Sequence, residues 1–186
     1  QNEVVKMWGK INKYYPPWLE LIPPLLLYMA FAYTYANYPA LPGQFPTHFG
    51  LSGLPDAWQP KSFGSVYLSL MMGTIVWLSL VLLNFFFIVN PDDPGKYINI
   101  SPRQKEQLGT ERLEAIRRTT ARGMIIINLT ITAMISILHY ESIKTALGLQ
   151  NGHGYIVLFF AAALLIESIG LTVKTIRMTF TPKTKH

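Results

Sequence analysis

Charged residues are scarce in this chain of 186 residues, since Asp, Glu, Lys and Arg make up only 14% of it, against about a quarter in an ordinary soluble domain. The shortage is concentrated in four long segments that contain none of these residues. These segments lie between Glu20 and Asp56, between Lys61 and Asp92, between Arg122 and Glu141, and between Lys144 and Glu167. The pattern excludes a soluble enzyme and a disordered tail, and it predicts an integral membrane protein with four spans.

Cysteine is absent as well, which excludes disulfides, thiolate metal sites and thiol catalysis. The sequence contains no P-loop, no dinucleotide-binding glycine fingerprint, no His-Glu-x-x-His helix and no nucleophile elbow, so it offers no argument for an enzyme. The net charge of +6 would suggest nucleic acid in a soluble protein. In a membrane protein an excess of Lys and Arg marks the loops that stay in the cytoplasm, so we expect no nucleic-acid partner.

The predicted fold is an all-α integral membrane protein, a single membrane domain (residues 1–186) built as a four-transmembrane-helix bundle. The predicted spans are about 18–38, 63–89, 123–140 and 155–173, with outer loops 39–62 and 141–154 and a cytoplasmic loop 90–122. Each span approaches or exceeds the ~20 residues that cross ~30 Å of hydrocarbon.

The distribution of basic residues predicts the orientation. With both termini in the cytoplasm, 14 Lys and Arg residues lie inside and only Lys61 and Lys144 lie outside. The cytoplasmic loop should contain a helix before the third span, since Ser101 is a candidate N-cap, Pro102 suits the first helical position and Gln104 completes a capping box. Within this helix the spacing pairs Glu114 with Arg118, and Gly109 and Gly123 are the expected weak points.

The most distinctive segment is the first outer loop, which combines turn signals with polar and aromatic side chains over residues 46–61. Gly50 and Gly53 suggest backbone positions with positive φ. Two interpretations remain open. Either His48 and Asp56 form a ligand or metal site, or the loop is a compact interfacial or re-entrant segment in which these two side chains satisfy backbone groups.

This loop resembles the domain-of-unknown-function family 1648, which is related to the N-terminal part of SdpI-type immunity membrane proteins. The resemblance is carried by Pro46, His48, Phe49, Gly53, Asp56, Trp58 and Lys61. It implies a small multi-pass protein of a bacterial cytoplasmic membrane and supplies no reaction. SdpI-type proteins have additional C-terminal spans for which this chain has no room, so an immunity role is a hypothesis only.

Glu167 lies inside the predicted fourth span, and an ionisable side chain at membrane depth is a candidate functional site. Its distance from the cytoplasmic end places it at a depth similar to that of Asn84 and Asn128. We therefore expect an intramembrane polar cluster of Asn84, Asn128 and Glu167. It would act either as a proton or cation site or as hydrogen-bonded glue between helices.

Five residues on the predicted outer side are weak candidates for metal ligands, and their spacing matches no established motif: His48, Asp56, His139, Glu141 and His153. We therefore predict no metal site and no cofactor, although a bound pigment or metal would be compatible with the sequence. Bound lipid is expected. The expected partners are the lipid bilayer together with other membrane subunits or further copies of the chain.

Three functions remain open from the sequence. The first is a small membrane protein of immunity, sensing or accessory type whose structured outer loop contacts a ligand or a partner. The second is a structural subunit of a larger membrane complex that packs through its helices. The third is an ion or proton carrier, or a metal-dependent membrane enzyme, that uses Glu167 or the outer histidines.

Overall fold

The computed structural model describes residues 3–180. Its helices are α1 (Glu3–Asn12), α2 (Ile22–Asn37), α3 (Phe63–Leu83), α4 (Pro102–Ala146) and α5 (Ile156–Phe180), and its strands are β1 (Gln44–Phe49) and β2 (Pro55–Pro60). Short 3-10 helices precede and follow α2, at Pro17–Leu21 and Tyr38–Ala40, and α3 continues as a π-helix over Asn84–Val89. Lys183 and Lys185, two of the basic residues assigned to the cytoplasmic side, lie outside the described residues.

Among residues 3–180, four helical segments are long and apolar enough to cross a membrane, which confirms the number predicted from the charge-free segments. They comprise Pro17–Ala40, Phe63–Val89, Pro102–Ala146 and Ile156–Phe180. The described residues are mostly helical, as predicted, but the segment between α2 and α3 adds a β-hairpin that the prediction did not include. The sequence did not predict the hairpin, because its strands are only six residues long and their pairing contains register shifts. The strands therefore lack a regular alternation of apolar and polar residues.

Helix α4 is the central element, since it packs against α2, α3 and α5. Its inward face includes several buried polar residues at helical spacing, namely Asn128, Thr132, Ser136 and His139. Helix α5 packs mainly on α4, and Phe160 is its one buried residue among those described. The two helices approach closely at Gly123, where an added Cβ would lie 2.5 Å from Cδ2 of Leu171. Gly123, expected to be a weak point, is thus a helical residue at a tight crossing.

The start of α4 follows the prediction. Ser101 accepts from the main-chain N–H of Gln104, and the Gln104 side chain accepts from the main-chain N–H of Ser101 in a capping box. The expected weak point at Gly109 is confirmed, because this residue has φ 71° and ψ 163° and interrupts the helix. A glycine adopts that left-handed conformation without the steric cost that other residues incur.

Arg117 ties α4 to the end of the π-helix. Its Nε donates to the carbonyl of Ile88 at 2.5 Å and its Nη2 donates to the carbonyl of Val89 at 2.7 Å. The guanidinium is buried and also lies 3.6 Å from the carboxylate of Glu114. Glu114 therefore pairs with the residue three positions along the helix and not with Arg118, because Arg117 is the side chain that faces the protein. A cation at a helix C-terminus satisfies carbonyls that have no helical partner.

Candidate functional site at the hairpin

The hairpin lies over one end of the helices, which we call the hairpin end, and several residues of β1 and its flanks hold it there. Phe45 is 3% exposed and belongs to a core cluster with Val66, Leu70 and Ile143 from α3 and α4. Pro46 is fully buried beside it. These contacts anchor one strand to the helices, while β2 lies on the outside with exposed side chains.

Lys61 fastens the base of the hairpin to the end of α2. Its Nζ donates to the carbonyl of Leu41 at 2.9 Å and lies 4.9 Å from the ring centroid of Tyr38. The ammonium group thus combines a hydrogen bond with a cation–π contact. Lys61 therefore has a structural role in the hairpin.

The turn of the hairpin is locked to the loop between α4 and α5 by glycines. The main-chain N–H of His153 donates to the carbonyl of Gly53 at 2.7 Å. A Cβ on Gly53 would lie 2.3 Å from the carbonyl oxygen of Gly154, and a Cβ on Gly152 would lie 2.1 Å from the carbonyl oxygen of Gly53. We call this contact the glycine lock. Gly53 has φ 75°, as predicted, whereas the same prediction for Gly50 is wrong, because Gly50 has no positive φ.

The side chain of His153 completes this attachment. Its ring stacks on Phe49 with centroids 3.5 Å apart, and its Nε2 lies 3.0 Å from Oγ of Ser142. Burial lowers the pKa of His153, and the carboxylate of Glu141 opposes that effect more weakly. The ring is therefore neutral near pH 7, where the unshifted group with a pKa of 6.5 would already be largely deprotonated.

His48 and Asp56 pair with one another on the exposed surface of the hairpin. Nδ1 of His48 lies 2.5 Å from Oδ1 of Asp56, and both side chains are more than half exposed. Trp58 is also exposed, at 46%. Within the described residues, each side chain bonds to the other and not to the backbone groups that the second interpretation would require, whereas a ligand site at these two residues stays a prediction.

His139 joins three helices inside the protein. Its Nε2 lies 2.7 Å from Oγ1 of Thr34 on α2, and its Nδ1 lies 2.8 Å from Oγ of Ser69 on α3. Because the hydroxyl of Thr34 donates to the carbonyl of Ala30, Nε2 of His139 must carry the proton and donate to Thr34. The sequence contained a signal for this role, since His139 continues the helical spacing of Asn128, Thr132 and Ser136.

The expected cluster of Asn84, Asn128 and Glu167 is not joined by hydrogen bonds. Asn84 donates to the hydroxyl of Tyr15 at 3.0 Å, whereas Glu167 accepts from the hydroxyl of Thr130 at 2.8 Å. Counting residues from the cytoplasmic end predicts how deep a residue lies along its helix. It does not predict the direction in which the side chain points around the helix axis. Residues 128 and 130 are about 200° apart on a helix, so Thr130 can face α5 while Asn128 faces the interior.

The five weak metal candidates are distributed over separate contacts. His48 bonds to Asp56, His139 to Thr34 and Ser69, His153 to Ser142, and Glu141 lies 3.5 Å from Nζ of Lys144. Within residues 3–180, no three His, Asp or Glu side chains are grouped so that they could hold a metal ion.

Comparison with known proteins places the hairpin in a named family. Residues 25–73 match the model of the domain of unknown function DUF1648. This part of the chain is a DUF1648 domain. It comprises most of α2, the complete hairpin and the first half of α3. No curated protein and no solved structure matches the chain.

The DUF1648 domain contains all seven residues of the loop motif, and the structure divides them into two groups. Pro46, Phe49, Gly53 and Lys61 hold the hairpin against the helices and against the loop between α4 and α5. His48, Asp56 and Trp58 are exposed. The partners of the first group at His153, Gly152 and Gly154 lie outside the DUF1648 domain, so the fixed position of the hairpin depends on the rest of the chain.

Proposed function

We propose that this chain is a small multi-pass membrane protein of sensing or immunity type, which contacts a ligand or a partner protein through His48, Asp56 and Trp58. One observation carries the proposal. Four residues of the motif attach the hairpin to the helices and the loop between α4 and α5, and the other three are exposed and support none of those attachments.

The chemistry of the exposed group suits recognition. Tryptophan is among the residues that contribute most to protein interfaces, because it buries a large apolar area at a small cost in conformational entropy. The paired imidazole and carboxylate add hydrogen-bonding atoms to it.

We propose that the hairpin faces the cell exterior or periplasm from the cytoplasmic membrane of a prokaryote, with both termini in the cytoplasm and the spans arranged as a four-helix bundle. The distribution of basic residues supports this orientation, because 14 of the 16 Lys and Arg belong in the sequence to the two terminal segments and the loop 90–122, and only Lys61 and Lys144 belong to the predicted outer loops. The contacts of α4 with α2, α3 and α5 support the bundle.

The test is site-specific photo-cross-linking in the native membrane. A photoreactive residue replaces Gln59, which is exposed on β2 next to Trp58. We expect a discrete adduct at this position that disappears in His48→Ala and Trp58→Ala and persists in the matched control Gln44→Ala, which changes an exposed residue of β1. An adduct that is equally strong in all three variants would contradict the proposal.

A second candidate function is a structural subunit of a larger membrane complex, and the exposed face of α5 favours it. Ile166 on this face is 71% exposed, and α5 buries one residue among those described. Other subunits or further copies of the chain could cover it. A photoreactive residue at Ile166 would then give protein adducts, whereas adducts with lipid alone would favour contact through the hairpin.

A carrier role for Glu167 has narrower support. Its Oε2 is buried and has no hydrogen-bond partner within the described part of the chain. Glu167→Gln preserves the shape of the side chain and replaces the carboxyl group with an amide. A variant that retains full function would contradict a proton role.

A further inference from the structure

A cavity of about 440 Å³ lies beneath the hairpin, between α3 and α4. Its size falls within the range of about 300–1,000 Å³ that is usual for small-molecule sites. Strand β1 forms its roof through Phe45 and Pro46, and His153 contributes from the loop between α4 and α5. None of these lining residues belongs to the exposed group His48, Asp56 and Trp58, so the cavity is separate from the surface discussed above.

The lining of the cavity changes from polar to apolar with distance from the hairpin. The polar side chains lie near the hairpin end and comprise Thr47, Ser65, Ser69, His139, Ser142 and His153. The deeper side chains are apolar, with Met72 and Val76 on α3 and Ile135 on α4. No Asp, Glu, Lys or Arg is found among the described residues that line it. An amphiphile with a small head group and an apolar chain matches this gradient.

The open side of the cavity faces outward from α3. Leu68 and Met72 both line the cavity and are 57% and 52% exposed. Because α3 belongs to a span long enough to cross the membrane, these exposed apolar side chains face lipid. A ligand can therefore enter from the bilayer without crossing the hairpin.

The hydrogen bonds at the polar end leave an acceptor on His153 for a ligand. Both ring nitrogens of His139 already have partners in Thr34 and Ser69. The hydroxyl of Ser142 donates to the carbonyl of Leu138, so Nε2 of His153 carries the proton and donates to Ser142. Nδ1 of His153 is then an acceptor with no hydrogen-bond partner among residues 3–180, on a side chain that is only 6% exposed.

We propose that this cavity binds an uncharged single-chain amphiphile with a hydroxyl head group. The hydroxyl donates to Nδ1 of His153, and the chain extends between α3 and α4 along Met72 and Ile135. A carboxylate or an ammonium head group is excluded by the lining, because a buried charge without a counter-ion is costly. The neutral state of His153 agrees with a ligand that donates a hydrogen bond.

The experiment measures binding of tritiated 1-dodecanol to the purified full-length chain in detergent by equilibrium gel filtration. Dodecane, dodecanoate and dodecyltrimethylammonium serve as competitors. We expect saturable binding of the alcohol with one site per chain, and displacement by unlabelled dodecanol at concentrations at which the two charged amphiphiles have no effect. Equal competition by all four compounds, or binding that never saturates, would overturn the proposal.

Two variants locate the site. Leu68→Trp places a larger side chain at the mouth and should weaken dodecanol binding by at least about tenfold through loss of buried apolar contact. Leu78→Trp makes the same change at an exposed position of α3 outside the cavity and should leave binding unchanged. If both variants bind as the parent chain does, the cavity is not the site.

His153→Phe tests the acceptor, because phenylalanine can retain the stacking on Phe49 while removing the ring nitrogens. Loss of one neutral hydrogen bond predicts alcohol binding that is about 2–10-fold weaker, with dodecane binding unchanged. Circular dichroism and the elution volume establish that each variant is folded. If a variant does not fold, competition among the four compounds on the parent chain still decides between the proposal and its failure.

Discussion

The carbonyl of Gly53 accepts a hydrogen bond of 2.7 Å from the main-chain N–H of His153, a hundred residues further along the chain. This bond connects the turn of a DUF1648 domain to the loop between the last two helices. It makes the position of the hairpin a property of the complete four-span chain. Because the contact is between backbones, it restricts which residues can occupy the positions on both sides.

The glycine lock predicts a sharp effect of adding one methyl group. Gly152→Ala would place a Cβ 2.1 Å from the carbonyl oxygen of Gly53 and should release the hairpin. We expect a loss of about 1–3 kcal/mol from overpacking. Hydrogen exchange of residues 50–54 measures the release. Gly43→Ala is the matched control, since an added Cβ there meets nothing within 4 Å. Equal protection of residues 50–54 from hydrogen exchange in the two variants would contradict the glycine lock.

Attachment of the hairpin should weaken in acid. Burial lowers the pKa of His153 below 6.5, so protonation is harder in the attached state than in the released state. The stability that neutral His153 contributes to the attached hairpin is therefore fully present above pH 6.5. It is lost as the pH falls from there toward the lowered pKa of His153.

Protease sensitivity of the hairpin, measured above and below pH 6.5, tests this dependence. The ionisable side chains of Glu141, His48 and Asp56 also lie near the hairpin, so the comparison is with His153→Phe, which retains those groups. The variant should show a weaker pH dependence than the parent chain. Identical profiles would show that His153 is not responsible.

Removal of the buried guanidinium of Arg117, at the end of the helices opposite the hairpin, should destabilise the protein. Arg117→Gln leaves the carbonyls of Ile88 and Val89 without their charged donors, at a cost of about 2–3 kcal/mol. Thermal unfolding in detergent measures this cost. Arg118→Gln removes the same charge from an exposed neighbour and should change stability by less than about 0.5 kcal/mol. A similar loss in both variants would indicate a general charge effect.

The lack of cysteine makes the orientation directly measurable, because a single introduced cysteine gives an unambiguous label. We expect Ser52→Cys, in the turn of the hairpin, to react with a membrane-impermeant maleimide in intact cells. Glu106→Cys, near the start of α4, should react only after permeabilisation. The reverse pattern would overturn the assignment that rests on the basic residues.

The sequence predicted the features that depend on local chemistry. Four long apolar helices follow from segments without charge, and the start of α4 follows from the capping box of Ser101 and Gln104. The motif of residues 46–61 could be recognised as similar to DUF1648, but the β-hairpin that these residues form could not be predicted. The contact of Gly53 with residues 152–154 joins distant parts of the chain, and no local pattern encodes it. Glu167 illustrates the same limit, since its depth could be estimated but its partner, Thr130, depends on helix rotation.

The position of the glycine lock in the chain has a consequence for biosynthesis. Helices α2 and α3 and the hairpin between them are translated well before residues 152–154 exist. A nascent chain inserted up to the end of α4 therefore contains a DUF1648 domain in which the turn at Gly53 still lacks its contact with residues 152–154. The hairpin acquires its final geometry only when the loop between α4 and α5 has been made, so a truncated or stalled product would present an unfinished hairpin.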